Sequence, residues 1–275
     1  MTSKKEIRDY WGQKLPQLWY SRKSAGSKRY FYEIERKRYG IYYRYLPEVA
    51  EFNQHIGDKV LEVGCGIGTD LMQYAKAGAK VVGVDLTPEA IKVTKDRFKK
   101  MNLAGRFLVA DAEKLPFKSK TFDFVFSFGV IHHTPNPEKA IREIYRVLKP
   151  SGKAVVMLYA RGWNHYLVRL FWRGVIKGDL FKMSYQDCIN KNSEVYGGTP
   201  LTNVFSKKKI KKFFSIFPQV KITRHRFLPL FDSSHYLVGG WPKWFNQTVN
   251  QFVLLSEKLK TERILGENWI IKAKK

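Results

Sequence analysis

Cysteine is scarce in this chain of 275 residues: the two present, Cys65 and Cys188, lie far apart and follow no CxxC or Cys/His ligand spacing. That excludes a disulfide framework and a structural zinc site as organising devices. No apolar run reaches the roughly 18 residues that a membrane-spanning helix needs, and the opening stretch MTSKKEIRDYW lacks the apolar h-region of a secretory signal. We therefore expect an intracellular, cytoplasmic protein, with any membrane contact peripheral. Acidic residues are also in deficit, 24 Asp and Glu against 50 Lys and Arg, for a net charge of +26. Such an excess predicts attraction to phosphates, anionic lipid headgroups or acidic substrates.

What is present argues for a folded core. A hydrophobic content of 44% is enough to build one, and it excludes a disordered or collagen-like chain. The charge is unevenly placed: residues 1–50 carry 12 basic and 5 acidic side chains, residues 51–160 carry 17 and 12, and residues 161–275 carry 21 and 7. Three regions follow, an amino-terminal helical extension (1–50), a core (51–160) and a basic carboxyl-terminal region (161–275).

The core alternates strands and helices. KVLEVGCGIGTD, from Lys59, is a Val- and Leu-rich run ending in a glycine cluster, as a buried parallel strand entering a turn does. A helix from Thr69 to Lys76 follows, then a strand from Lys80 to Asp85. Thr87 is an N-cap with Pro88 behind it, opening a helix to Met101. Strands are expected at Arg106 to Ala110 and at Phe122 to Ser127, the latter apolar at nearly every position because both sheet faces are covered. Asn136 and Pro137 repeat the cap-plus-proline start of a helix to Leu148, and KPSG stops it before a strand from Lys153 to Tyr159. Strict alternation means an α/β fold with a doubly wound parallel sheet.

Ligands of such sheets lie outside the carboxyl ends of the strands. After the first strand come Glu62, Gly64, Cys65, Gly66 and Gly68, whose alternate glycines allow a tight turn and a close ligand. After the second stands Asp85, a carboxylate able to accept both hydroxyls of a ribose, and after the third stand Asp111 and Ala112, placed to read an adenine edge. A dinucleotide fingerprint requires a glycine where Thr69 stands. The spacing is instead GxGxG behind an acidic residue, which suits a nucleoside cofactor carrying an ammonium and no phosphate.

LEVGCGIGTD, VVGVDLTPEAI, VADAEKLPF and FDFVFSFGVIHHTPNPEKAIREIYRVLKPSGKAVV match in order the motifs of a known family. From Lys59 to Tyr159 the chain resembles the class I S-adenosylmethionine (SAM) dependent methyltransferases, specifically the type 11 group similar to ubiquinone and menaquinone C-methyltransferases. The resemblance implies that Gly64, Gly66 and Gly68 wrap the methionine part of SAM, Glu62 supports its amino group and Asp85 holds the ribose. It also implies that Leu86 packs on the adenine, Asp111 and Ala112 read its edge, and Phe128 closes the pocket. The family fold is a Rossmann-like seven-stranded sheet with its last strand antiparallel. Val220 to Leu228 and Trp269 to Ala273 supply the remaining strands, with a helix from Lys243 to Lys260 between them and a long insertion after strand five.

Methyl transfer is an in-line displacement that needs alignment and exclusion of water more than acid or base. His132 and His133 are candidate general bases. No metal is expected. Asp9, Tyr10, Trp11 and Tyr20 lie in an extension placed by family analogy over SAM. Arg29 to Tyr45 interleaves tyrosines with arginines, and a helix from Arg161 to Lys177 sets Trp163, Tyr166, Leu167, Leu170 and Phe171 opposite Arg161, His165, Arg169, Arg173 and Lys177. An apolar face beside a basic one fits either a packed lid with a solvated outer side or a helix in an anionic membrane interface. SKKKIKK, from Ser206, reads as a capped helix whose first-turn lysines oppose the helix dipole. The expected acceptor is a small or lipid-like molecule methylated at O, C or N. The alternative is RNA, as substrate or ligand of the basic aromatic flanks, although Ser127, Phe128, Gly129 and Val130 stand where base-nitrogen methyltransferases carry Asn/Asp-Pro-Pro-aromatic.

Overall fold

The computed structural model describes residues 2–162, 170–171, 174–193, 198–225, 251 and 266–275. Helices α1 (Lys4–Gln13), α2 (Lys28–Lys37) and α3 (Leu46–Ala50) precede the sheet. Then β1 (Lys59–Val63), α4 (Thr69–Lys76), β2 (Lys80–Asp85), α5 (Pro88–Lys100) and β3 (Arg106–Val109) alternate. They are followed by β4 (Phe122–Phe128), α6 (Pro137–Val147), β5 (Leu148–Tyr159), α7 (Tyr185–Lys191), α8 (Lys207–Phe213), β6 (Gln219–His225) and β7 (Asn268–Lys274). The seven strands lie in the order β3-β2-β1-β4-β5-β7-β6, with β7 antiparallel to both neighbours and the pairs among β1 to β5 parallel. This is the Rossmann-like sheet anticipated.

Successive residues of each inner strand serve opposite layers, because strand side chains alternate faces. Leu61, Val63, Val125, Ala154 and Val156 pack with Ala140, Ile141 and Ile144 of α6 and Ile210 and Phe213 of α8. Val60, Phe124, Phe126, Val155 and Met157 pack with Leu71 and Met72 of α4, Phe98 of α5, and Leu46 and Val49 of α3. Ile141 and Ile144 are fully buried, each contributing about 1.5–3 kcal/mol of transfer free energy. The caps behave as their residue types require: the Thr87, Asn136 and Ser206 side chains accept from the amides of Ala90, Lys139 and Lys209.

Several boundaries differ from the expectation: β4 runs on to Phe128, β6 begins at Gln219 and β7 spans Asn268–Lys274. Strand β5 begins at Leu148 instead of Lys153, because Leu148 already pairs with Phe122 and the register then slips between Phe122 and Phe124. KPSG is thus carried inside the strand, with Ser151 at φ +62°. Strand β3 ends at Val109, although the Ala110 amide still donates to the Asp85 carbonyl (2.8 Å). Trp163, His165, Tyr166, Leu167, Arg169 and Arg173 of the expected insertion helix, residues 226–228 of the expected sixth strand and nearly all of Lys243 to Lys260 lie outside the described residues. Among the described residues no helix is long and apolar enough to cross a membrane.

Between β5 and α8 the chain makes one excursion. Ala160 bridges Phe205, the Phe205 amide donates to Tyr159, and the Arg161 amide donates to Phe205 (both 2.9 Å). The excursion therefore departs and returns at one point, the carboxyl end of β5.

Candidate active site

A cavity of about 220 Å³ opens at the carboxyl ends of β1, β2, β4 and β5, beneath the amino-terminal helices. Glu62, Gly64, Gly66, Asp85, Leu86, Asp111, Ala112, Phe128 and His133 all line it. Two of the expected residues do not. Gly68 lies behind the loop at φ +71°, where a Cβ would sit 2.8 Å from Thr94, so its glycine serves the close passage of α5. His132 is fully buried beneath the wall, its ring stacked on Tyr159 at 3.8 Å. Gly64 (φ +76°) has its own steric reason, since a Cβ there would overlap Val130 at 2.2 Å.

Electrostatically the floor is acidic. One Asp85 oxygen accepts from the Gly66 amide (2.9 Å), the other from the Thr87 amide (3.0 Å) and hydroxyl (2.9 Å), fixing the carboxylate against the loop. Burial pushes Asp85 up in spite of these bonds. Glu62 is buried, and among the described residues its Oε2 has no hydrogen-bond partner. Burial pushes its carboxyl well above the usual range; Asp70 and Asp85 add to that and Arg38 opposes it.

Arg38 and Asp70 are the charged residues of the cavity that sequence reasoning missed. Helix α2 runs on into a π-turn (Arg38–Tyr42) that directs Arg38 inward. There its Nε donates to Asp70 (2.7 Å), Nη2 donates to the other oxygen, and the Tyr39 hydroxyl donates to the same carboxylate (2.8 Å). The guanidinium also lies over the rings of Tyr43 (5.1 Å) and Phe128 (5.2 Å). Burial opposes its charge, yet Asp70 holds it above its ordinary pKa. In RKRYG nothing distinguishes Arg38 from the surface cations around it.

The amino-terminal helices close the cavity from above. Ile7, Trp11, Leu15, Gln17 and Tyr20 face it. Lys4 pairs with Asp111 and with Glu113 (2.7 Å), and these carboxylates hold the ammonium above its usual pKa although partial burial works against it. The Tyr10 hydroxyl donates to the Gly198 carbonyl, and Thr2 donates to Pro200 (3.1 Å), tying α1 to the excursion. Asp9 stays on the outer side beside Arg8. Under the loop, buried Arg97, pulled down by burial to about 10, donates to the Thr69 hydroxyl (2.7 Å), which donates in turn to Gln17 (2.7 Å). His133 is held by the excursion: its Nδ1 bonds the Leu201 carbonyl (2.8 Å), and since a carbonyl only accepts, that nitrogen carries the proton. Trp11 packs on the same ring at 4.9 Å.

A family model described as "Methyltransferase domain" matches residues 61–156. A Methanocaldococcus jannaschii protein, described only as uncharacterized, is 31% identical over 70% of this chain and 71% of its own length. The chain belongs to the methyltransferase-domain family. A sterol 4-C-methyltransferase of Caenorhabditis elegans is 34% identical over 41% of this chain, and the match spans 34% of that protein's length. Among solved structures, a SAM-dependent methyltransferase from Methanosarcina mazei aligns with a TM-score of 0.54 at 18% identity, covering 83% of this chain and 97% of that one. The fold is thus shared at 18% identity.

The residues of this methyltransferase domain fit the cofactor that the fold family uses. An unpartnered buried carboxylate oxygen asks for a cation, and Glu62 offers one at the loop. Gly66, at φ +51°, has open space where a Cβ would stand, so a ligand can lie against the backbone there.

Proposed function

We propose that this protein transfers the methyl group of S-adenosylmethionine to a small, lipophilic acceptor at oxygen, carbon or nitrogen. The observation that carries the reading is the orphaned Glu62 oxygen in the same cavity as Asp85 and Asp111. Glu62 would take the ammonium of the methionine part, Arg38 its carboxylate, Gly64 and Gly66 its backbone-hugging chain, and Asp85 the ribose. Leu86 would pack on the adenine, and Asp111 with Ala112 would read its edge. Bound SAM supplies an electrophilic methyl group on a sulfonium.

The chain's own residues then orient and dry the site. Residues 1–50 act as the lid, with Trp11 and Tyr20 in its inner surface, and water exclusion strengthens every charge interaction beneath it. Phe128, Tyr43, Met157 and Tyr159 give the rest of the wall an apolar, aromatic character suited to a lipophilic guest. His133 is the group that would hold a proton released by the acceptor; His132, beneath the wall, would support it. Of the two acceptor classes that the sequence leaves open, a cavity of about 220 Å³ roofed by the amino-terminal helices favours the small molecule over RNA. With a lipophilic acceptor, the proposed location is the cytoplasm, in peripheral contact with a membrane.

Incubation with methyl-labelled SAM and a host extract, followed by partition of the products, tests this reading. Label is expected in the organic phase. Nuclease-sensitive label in RNA would overturn the acceptor class, and failure of SAM to bind in calorimetry would overturn the activity itself.

A further inference from the structure

The excursion after β5 exposes large apolar side chains in close succession. Phe181 is 81% exposed, Ile176 56%, Phe171 53% and Val175 42%. Single exposed apolar residues are ordinary, but a cluster marks a surface that meets something apolar. Of the aromatic side chains expected on the apolar face of the insertion helix, Phe171 is exposed and not packed on the core. Lys177 and Lys182 are exposed among them. Within residues 174–182 the one carboxylate, Asp179, is buried and bound by Lys191 (2.7 Å) and Asn192 (3.1 Å), so the exposed charges of this stretch are Lys177 and Lys182.

Location adds a second argument. Because Ala160 bridges Phe205, the excursion is rooted beside Tyr159, which lines the cavity, and Lys207 and Lys208 begin α8 immediately after the return. These two lysines, with Lys211 and Lys212, are exposed, and among the described residues none has a carboxylate at ion-pair distance.

We propose that the exposed apolar residues between Phe171 and Phe181, with Lys177, Lys182, Lys207 and Lys208, form a docking surface for an anionic lipid bilayer, from which the acceptor reaches the cavity. This rests on the lipophilic-acceptor reading. Aliphatic Val175 and Ile176 favour hydrocarbon over nucleic acid, whose recognition relies on stacking side chains.

Co-sedimentation with vesicles of phosphatidylcholine, with or without phosphatidylglycerol, tests the surface. The full chain is expected to bind the anionic vesicles and to leave the neutral ones largely unbound. Ile176→Ser with Phe181→Ser should weaken vesicle binding by roughly tenfold or more, and Lys207→Glu with Lys208→Glu should weaken it and flatten its salt dependence. Both variants alter exposed side chains, and unchanged SAM affinity in calorimetry certifies their fold. Native protein that ignores anionic vesicles, variants that bind as well as native, or RNA that binds both native and Ile176→Ser/Phe181→Ser proteins alike while displacing vesicles would each overturn the proposal. Loss of SAM binding by the native chain would instead strike the activity, whatever the vesicles show.

Discussion

Glu62 concentrates the chemistry of the cavity in one side chain. Its carboxyl binds a proton more readily when folded than when unfolded, so its contribution to stability falls as pH rises from the ordinary glutamate range through the raised folded value. A bound cation reverses that tendency. Glu62→Gln should therefore raise the melting temperature of the ligand-free protein, by the equivalent of about 1–2 kcal/mol, while weakening SAM by more than tenfold. Calorimetry in buffers of different ionisation enthalpy should show proton release on SAM binding to the native protein and none to the variant. Asp85→Ala should also cost more than tenfold in SAM affinity, and near-normal affinity would sink the ribose assignment. At this scale the strand-end residues Glu62, Gly64, Gly66, Asp85 and Asp111 were legible, because the strand that delivers each ends in the chain beside it. Arg38 and Asp70 were not, since their meeting depends on a π-turn and on packing between elements distant in sequence.

Among the described residues, helix α1 and the residues just before it reach the rest of the molecule through polar contacts of Lys4 with Asp111 and Glu113, Thr2 with Pro200, and Tyr10 with Gly198. Because partly exposed ion pairs contribute only about 0–1 kcal/mol, Lys4→Ala should leave the melting temperature nearly unchanged. It should nevertheless speed SAM association and dissociation together, and tryptophan fluorescence in stopped flow would read both rates; unchanged rates would argue that α1 does not govern access. By contrast, Ile144→Ala in α6 should cost about 2–5 kcal/mol in denaturant unfolding, because no neighbour can fill the gap in a core packed on both sides. The core elements were readable from Val- and Phe-rich runs and cap residues. The start of β5 was not, since KPSG has the composition of a turn and only pairing with Phe122 carries it into the sheet.

Taken whole, the molecule separates two kinds of electrostatics. Positive charge is concentrated outside residues 51–160, whereas the cavity floor holds buried carboxylates. Salt screens exposed charges over about 8–10 Å at physiological strength and buried ones much less. Raising salt should therefore weaken attachment to anionic vesicles while leaving SAM affinity within about twofold, with calorimetry and sedimentation run on the same samples; parallel loss of both would mean that the two surfaces are one. The joint at Ala160 and Phe205 has a consequence for evolvability. Closing a flexible segment between two fixed, adjacent ends costs only about 0.6 kcal/mol more for each doubling of its length. Natural variation can lengthen, trim or exchange the piece between them while β5 and β7 stay in register. New guest molecules are then within reach of a chassis whose cofactor half never has to be reinvented.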